Sequence, residues 1–386
     1  MSILTSQILD PIYHSNSRTE FKIFGRDRIY TSKMRVCSFG CSEVTPAGDT
    51  NYNIEGGVYA LLKQASLYFN DVLVDQVKDA SKVLSIQNNV MNTYDASNIA
   101  KDKKCSNIAY EWNPANPQQL DLENFNDKLL GHINLDDVFP VLRVSAFLPN
   151  IYEIRVVFEY ETDPNKIFIY VQPDSFKVSE PKIIVDEVMD RDSDTVKMLS
   201  APLTLANIPC IITERVIVSS STSPQTIRLR AFDGMNLLRL VANAVIGNQT
   251  SDAEALIFSR SDVIEDEKIN FIVNNVKLLQ FNGMDHPQKK IYMSSESMGD
   301  FLCPFGGADI NLVADPLDTF EDVYTDSLTA SLAGKLSYTA VDINRKINRL
   351  EFEVSKSETN TIYYYFFGVV FKYLIKKGDV VETGYM

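Results

Sequence analysis

Side chains that could carry out acid-base or nucleophilic chemistry are few in this sequence, and they are widely spaced. The three histidines, His14, His132 and His286, lie far apart in polar or turn-like stretches. The sequence has no G-x-S-x-G elbow to expose a serine nucleophile, and no P-loop or dinucleotide fingerprint to hold a phosphate. We therefore expect no catalytic residue, no cofactor-binding residue and no enzymatic activity.

Adjacent carboxylates, such as Asp136-Asp137 and Glu265-Asp266-Glu267, suggest glycosidase chemistry as a possibility to weigh. A glycosidase needs two carboxylates at a defined separation across one bond. Asp136 and Asp137 stand where a short helix is predicted to begin, so helix capping and compensation of the helix dipole explain them. The charged residues at 264–268 are interpreted as the solvated start of a strand.

The cysteines predict neither a disulfide framework nor a metal site. There are five of them, an odd number scattered over a long chain, which is typical of a protein from a reducing compartment. Cys37 and Cys41 are close in sequence, but no second close pair of Cys or His completes four ligands. We expect no bound metal and no cofactor.

Composition and charge narrow the class of protein. A chain of 386 residues with 45% hydrophobic residues is long enough for two cores. The net charge of −14 and the lack of a Lys/Arg-rich run argue against direct nucleic-acid binding. The N-terminal sequence lacks the basic region and long apolar core of a secretory signal, so we expect synthesis and assembly inside the cell.

Strand patterns dominate the chain, and Gly, Pro, Asn, Asp and Ser clusters separate them. Such spacing favours β-sandwiches over a parallel sheet with crossover helices. Short helices are predicted at 77–88, 136–143, 233–244 and 326–336. The prolines between Pro173 and Pro181 predict a domain boundary, which divides the chain into residues 1–175 and 176–386.

The chain repeats a strand pattern in its two halves. "RVVFEYETDPNKIFIYV" from Arg155 and "RLEFEVSKSETNTIYYYFF" from Arg349 each read as a hairpin, and an offset of 194 (349 − 155) sets Phe158 on Phe352. A second pair of segments, "LYFNDVLVDQVKD" from Leu67 and "FIVNNVKLLQFNG", repeats at an offset of 204. Two matches in the same order predict a structural duplication.

Two segments resemble a known family. "GHINLDDVFPVLRVSAFLPNIYEIRVVFEY" from Gly131 and "INFIVNNVKLLQFNGMDHPQKKIYMSS" from Ile269 are similar to segments of double jelly-roll major capsid proteins, as in polinton-like viruses and virophages. The chain is closer in length to the capsid proteins of tailless, membrane-containing bacteriophages. The resemblance implies an all-β fold with a few short helices, built as two tandem eight-stranded jelly-roll sandwiches.

The same resemblance implies a structural role in a virion. Three subunits with two barrels each (3 × 2 = 6) would form a homotrimeric, pseudo-hexameric capsomer of an icosahedral DNA-virus capsid. Its partners would be neighbouring capsomers, vertex (penton) proteins, minor capsid proteins and an internal membrane. We expect the N-terminal residues Ile3, Leu4, Ile8 and Leu9 to form an arm that contacts a neighbouring subunit or that membrane; a first helical turn covering its own core is the alternative.

Other functions remain open at this point. A jelly roll also serves in lectins, so a virion or cell-surface attachment protein that binds carbohydrate is one alternative. Its expected mark is exposed aromatic residues beside a calcium-type loop, for which "DRDSDTVK" from Asp190 is the nearest candidate although it lacks the regular spacing. A minor vertex capsid protein is another alternative. An enzyme on a duplicated β-barrel would need clustered His and Glu ligands in each half.

Overall fold

The computed structural model describes residues 4–25, 28–45, 50–52, 57–84, 129–144, 147–148, 151–170, 173–188, 202–219, 223–246, 264, 266–278, 339–357 and 359–386. These residues fall into two compact units. The first unit holds the described residues up to Leu84, those between 129 and Cys210, and Lys372–Tyr385. The second holds the described residues between Ile211 and Phe371, with Met386.

The described elements are almost all strands. Those of the first half are β1 (Leu4–Leu9), β2 (Tyr13–Ser15), β3 (Arg18–Phe24), β4 (Arg35–Thr45), β5 (Thr50–Tyr52), β6 (Leu62–Phe69), β7 (Val72–Lys78), β8 (Leu129–Asn134), β9 (Glu153–Tyr160), β10 (Phe168–Tyr170), β11 (Ser175–Val178) and β12 (Lys182–Val188). Those that follow are β13 (Leu203–Val218), β14 (Gln225–Leu229), β15 (Asn236–Ile246), β16 (Lys268–Val273), β17 (Val276–Lys277), β18 (Thr339–Lys346), β19 (Leu350–Ser355), β20 (Ile362–Lys377) and β21 (Val380–Tyr385).

The described helices are short connectors, as the sequence predicted. They are a 3-10 turn at Gly57–Leu61, a helical segment at 80–84, and single turns at Leu135–Val138, Val141–Val144 and Pro164–Ile167. The last begins at Asp163, whose side chain accepts a hydrogen bond from the Asn165 N–H, with Pro164 in the first turn. The predicted helix at 326–336 lies outside the described residues.

The predicted helix at 233–244 is wrong, because β15 occupies most of it. Leu237, Leu240, Val241 and Ala244 are spaced as on one face of a helix, yet all four are buried in a strand. The ladders that β15 forms with β18 and β20 both shift register between Leu237 and Arg239. A bulge of this kind breaks the alternation of inward and outward residues, which makes a strand look helical in sequence.

The first half builds two large antiparallel sheets, besides a two-stranded one of β5 and β10. One runs β1-β12-β4-β8, with β11 also paired to β4, and the other runs β3-β9-β6-β7, with β2 at the edge of β3. The Phe39 ring on β4 meets the Phe158 ring on β9 at 5.8 Å between centroids. The aromatic core therefore lies between the two sheets, as in a sandwich.

The second half repeats this order strand for strand. Its sheets run β13-β20-β15-β18 and β14-β19-β16-β17. Replacing each strand of the first set by its counterpart in the second reproduces every pairing, and each set has eight strands. The Phe352 ring on β19 meets the Phe366 ring on β20 at 4.9 Å. Two four-stranded sheets in this order form a jelly roll, so the predicted fold, two tandem jelly rolls, is confirmed.

The turn that joins the last two strands of the sheet β3-β9-β6-β7 has a counterpart in the sheet β14-β19-β16-β17, and the pair shows how the duplication is encoded. Asn70 and Asp71 join β6 to β7 with φ of 48° and 65°, and Asn274 and Asn275 join β16 to β17 with φ of 51° and 70°. Asn and Asp tolerate this left-handed conformation, which a two-residue hairpin turn requires. The predicted match between these segments, at an offset of 204, is therefore confirmed.

The other predicted match is displaced by two residues. The Asn70 N–H donates to the Glu153 carbonyl at 2.9 Å, and the Asn274 N–H donates to the Arg349 carbonyl at 2.8 Å. Arg349 thus corresponds to Glu153, an offset of 196 (349 − 153) rather than 194. The paired segments are also not hairpins, because β9 and β10 lie in different sheets, as do β19 and β20.

The position of β12 bears on the boundary between the jelly rolls. This strand follows the sequence-based division at 175/176, yet it pairs with β1 and β4 of the first set. The division at 175/176 stays a prediction, and the pairing favours a later one between 188 and 203. The compact units differ from both, because Lys372–Tyr385 groups with the first unit.

Candidate functional site

The residues that could do chemistry are not brought together in the part of the chain that the structure describes. No group of three His, Cys, Asp or Glu side chains there could hold a metal ion. His14 lies on β2 and His132 on β8, while His286 is outside the described residues. Cys37 and Cys41 both lie on β4.

His14 takes part in a hydrogen-bond chain inside the first unit. The Tyr160 hydroxyl donates to Thr19 Oγ1 at 2.7 Å, and Thr19 Oγ1 lies 2.8 Å from His14 Nδ1. His14 Nε2 lies 3.2 Å from the Val178 carbonyl, which can only accept, so Nε2 is the donor there. Burial raises the pKa of Tyr160. This hydrogen-bond chain joins β2, β3 and β9 to the last residue of β11, so it holds strands together.

The two acidic stretches also have structural settings. Asp136 and Asp137 lie in the first turn of the helix Leu135–Val138, as predicted, although the N-cap residue Asn134 makes no side-chain cap. Arg143 Nη2 bonds Asp137 Oδ1 at 3.0 Å, and Arg143 Nε donates to the Asp136 carbonyl at 2.6 Å. Burial and the neighbouring Asp137 carboxylate raise the pKa of Asp136. The positive charge of Arg143 therefore offsets part of the negative charge of Asp136 and Asp137.

The interpretation of 264–268 as a solvated strand start is wrong for Glu267. This side chain is buried and accepts a hydrogen bond from the Tyr364 hydroxyl in the second unit. Burial raises the pKa of Tyr364. Asp266 and Lys268 are exposed, as predicted. The candidate calcium loop from Asp190 lies outside the described residues.

A buried polar cluster of the first unit could not be found from the sequence. Lys372 Nζ lies 3.3 Å from Asp75 Oδ1, with 297 positions between the two residues, and both side chains are buried. Burial alone would lower the pKa of Lys372, but the Asp75 carboxylate raises it overall. Burial raises the pKa of the adjacent Cys210 thiol to about 12. A charged amine with an inert thiol offers no nucleophile, so the cluster fixes structure.

The N-terminal residues predicted to contact another subunit form a strand. Leu4 and Ile8 on β1 are 53% and 63% exposed, whereas Leu9 is half-buried. Ile3 lies outside the described residues. The alternative of a first helical turn is wrong, because Leu4–Leu9 pairs antiparallel with β12. The contact with a neighbouring subunit stays a prediction.

A second exposed apolar feature lies where β3 ends and β9 begins. The rings of Phe24 and Tyr152 meet edge to face at 5.9 Å, and both side chains are about half exposed. Lys22 Nζ lies 5.5 Å from the Phe24 ring and 2.6 Å from a Glu153 oxygen. Exposed aromatic residues beside a cation are frequent in protein interfaces.

No protein-family model matches this chain, and no curated protein matches it either. Among the described residues, no helix combines the length and the apolar composition that crossing a membrane requires.

Solved structures with the same fold do match the whole chain. PBCV-1 VP54, fitted into a reconstruction of the virophage Sputnik, aligns with 100% of this chain and 98% of its own, at a TM-score of 0.60 and 9% identity. The Faustovirus major capsid protein aligns with 98% of this chain and 91% of its own, at a TM-score of 0.58 and 9% identity. The mavirus major capsid protein aligns with 99% and 90%, at a TM-score of 0.54 and 9% identity. The similarity shows that the chain has the double jelly-roll fold of these proteins.

Proposed function

We propose that this chain is a major capsid protein whose homotrimers form the pseudo-hexameric capsomers of an icosahedral virion. The observation that carries the proposal is the repeated order of eight strands in each half. A trimer of a chain with two equivalent barrels presents six similar walls, so a threefold assembly can occupy sixfold surroundings. The structures with the same fold include two that are described as major capsid proteins.

The proposal includes where and with what the protein acts. The chain is made and assembles inside the host cell, and its role is structural rather than catalytic. Its partners are neighbouring capsomers and vertex proteins. The N-terminal residues Ile3, Leu4, Ile8 and Leu9 contact a neighbouring subunit, and the exposure of Leu4 and Ile8 supports this part of the proposal.

The solution mass of the purified protein tests the proposal. Size-exclusion chromatography with light scattering is expected to give a trimer of about 130 kDa (3 × 43.5 kDa), and imaging of that peak a hexagonal outline. A stable monomer that binds glycans and forms no trimer or shell would contradict the capsid function and favour an attachment protein.

A further inference from the structure

Strand β1 leaves one row of backbone groups without a partner in the described part of the chain. On the far side of β12, the Val188 N–H donates to the Ile29 carbonyl and the Asp186 carbonyl accepts from the Thr31 N–H. The even-numbered residues of β12 therefore point their backbone groups away from β1, and the odd-numbered ones point toward it.

The register then fixes which groups of β1 are free. Thr5, Gln7 and Leu9 stand opposite the odd-numbered residues of β12, so their N–H and C=O groups form the ladder. The same groups of Leu4, Ser6 and Ile8 point to the open edge. Among the described residues β1 pairs only with β12.

This edge lacks the features that usually protect a strand from pairing with another chain. Soluble proteins place charges, prolines or bulges on such edges. Residues 4–9, "LTSQIL", contain no charge and no proline, and the ladder to β12 has a continuous register without a bulge. Leu4 and Ile8, whose backbone groups are free, also expose their apolar side chains.

The charge near β1 is balanced, although the chain as a whole carries −14. Two copies of such an acidic chain repel each other, so a contact between copies is favoured where local charge cancels. Around this strand pair Lys182 Nζ lies 2.9 Å from Asp10, and Arg35 lies 3.6 Å from Asp186.

The Glu187 carboxylate, which lies near the other end of the β1–β12 pair, also has a cation beside it. Arg28 lies 3.7 Å from Glu187, which also accepts a hydrogen bond from Gln7. β1 itself carries no charge, and the charged residues of β12, together with Asp10, are each paired with an opposite charge. Charge does not oppose the approach of a second copy at this edge.

We propose that the free edge of β1 is paired by a β-strand from a second copy of this chain in the assembled particle. The inference rests on the proposed function, since it names the occupant of the N-terminal contact and the way it is held. Main-chain hydrogen bonds to Leu4, Ser6 and Ile8 supply the pairing, and the exposed Leu4 and Ile8 side chains supply apolar contact.

A proline at position 6 tests the pairing with a matched control. The backbone group that Ser6→Pro removes is an N–H that points to the open edge, where a proline is tolerated in a strand. Both Ser6→Pro and Ser6→Ala lose the hydrogen bond from Ser6 Oγ to Asp186, 2.6 Å long, so their difference isolates the edge. Ser6→Pro is expected to need about tenfold more protein to assemble than Ser6→Ala, with an unchanged urea midpoint of the dissociated chain.

Hydrogen exchange in the wild-type protein gives a second readout that needs no variant. The amides of Leu4, Ser6 and Ile8 are expected to exchange fast in the dissociated chain and slowly in the assembled species. The amides of Thr5, Gln7 and Leu9 are expected to be protected in both, because they bond to β12.

The outcomes separate this inference from the capsid function. Equal assembly of wild type, Ser6→Ala and Ser6→Pro would overturn the strand pairing and leave the capsid function standing. Protection of the Leu4, Ser6 and Ile8 amides in the dissociated chain would show that the same chain covers this edge. Protection only with phosphatidylcholine vesicles would show that a membrane covers it. Either result would overturn the strand pairing. A wild-type chain that never assembles would overturn both.

Discussion

The buried ion pair of Lys372 and Asp75 makes the first unit sensitive to the loss of one partner. In Lys372→Met, the Asp75 carboxylate keeps its hydrogen bond from the Gln76 N–H, 3.0 Å long, but has no cation beside it. Removing one member of a buried pair typically costs about 3–5 kcal/mol, because the remaining charge is not compensated. Urea unfolding at neutral pH is expected to show a loss of this size.

The matched control removes both charges. Asp75→Leu combined with Lys372→Met is expected to recover most of the lost stability, since an apolar pair of similar volume often replaces a buried ion pair at little cost. A double variant as unstable as Lys372→Met would show that the pair itself, rather than the stranded carboxylate, accounts for the loss.

The pH dependence of Lys372→Met has a defined sign. Burial raises the pKa of Asp75 above its ordinary 3.8, an effect that Lys372 opposes. At a pH between the ordinary pKa of Asp75, which applies to the unfolded chain, and its raised pKa in the folded chain, the folded chain holds a proton that the unfolded chain has released. The stability that this group contributes therefore increases as the pH falls. The deficit of Lys372→Met is therefore expected to shrink as the pH falls from neutral toward 3.8; a deficit that grows as the pH falls would contradict the assignment.

Cys210 gives a chemical test of the same buried cluster. Burial raises the pKa of this thiol to about 12, so little thiolate exists near pH 8, and the side chain is also shielded from reagent. Alkylation by iodoacetamide, followed residue by residue with mass spectrometry, is expected to be at least about a hundredfold slower at Cys210 in the folded chain than in urea. Cys37, which is half-buried, is the control and is expected to react readily in both. Rapid labelling of Cys210 in the folded chain would contradict its burial.

Among the elements, the turn between β16 and β17 depends on one side chain. Asn274 Oδ1 accepts from the Asn348 and Arg349 N–H groups at 2.8 and 3.1 Å, and its Nδ2 donates to the Lys346 carbonyl at 2.9 Å. Its φ of 51° lies in the left-handed region, which Asn tolerates better than Ala does. Asn274→Ala is expected to cost about 2–3 kcal/mol in urea unfolding.

Two further variants show whether the turns of the two halves are equivalent. Asn275→Gly keeps the left-handed conformation accessible and is expected to be within about 0.5 kcal/mol of wild type. In the first half, Asn70 Oδ1 accepts from the Glu153 N–H at 2.9 Å, and Asn70→Ala is expected to behave like Asn274→Ala. Opposite effects of the two Ala variants would argue against equivalent turns.

The period of a strand explains what the sequence predicted about the duplication and what it did not. The Asn turns were identified because a two-residue turn requires particular residues. The offset of β9 and β19 was wrong by two because side chains alternate with a period of two. Sliding by two residues keeps every inward residue inward, so Phe158 could be set on Phe352 without breaking the pattern.

The features that the sequence did not predict depend on pairings between distant strands. Nothing local marks Lys372 and Asp75 as partners, since an isolated Lys or Asp in a strand is usually solvated. For β1, the exposed apolar residues Leu4 and Ile8 were identified as contact residues. That the segment is an edge strand depends on its pairing with β12, which lies far along the chain.

For the whole molecule, the C-terminal segment has a consequence for folding. Lys372–Tyr385 belongs to the first unit, where the Asn70 Nδ2 group donates to the Asp379 carbonyl at 2.8 Å and Lys372 meets Asp75. The first unit is thus completed by residues that are synthesised after almost all of the second unit. Domains usually fold in order from the N-terminus during synthesis, but here the first unit lacks a strand segment and a buried charge until residues 372–385 have been synthesised.

A chain that ends at Phe371 tests this dependence. Hydrogen exchange is expected to rise at least about tenfold in β7, because Asp75 loses its cation and the strand loses its cover, while β19 keeps its protection. A chain that ends at Lys377 is the control, since it keeps Lys372 and loses β21, and β7 is expected to be less affected. If exchange rose equally in β7 and β19, the chain would unfold as one cooperative unit. If it rose in neither, residues 372–385 would be dispensable for the first unit, and that unit could fold before they are synthesised.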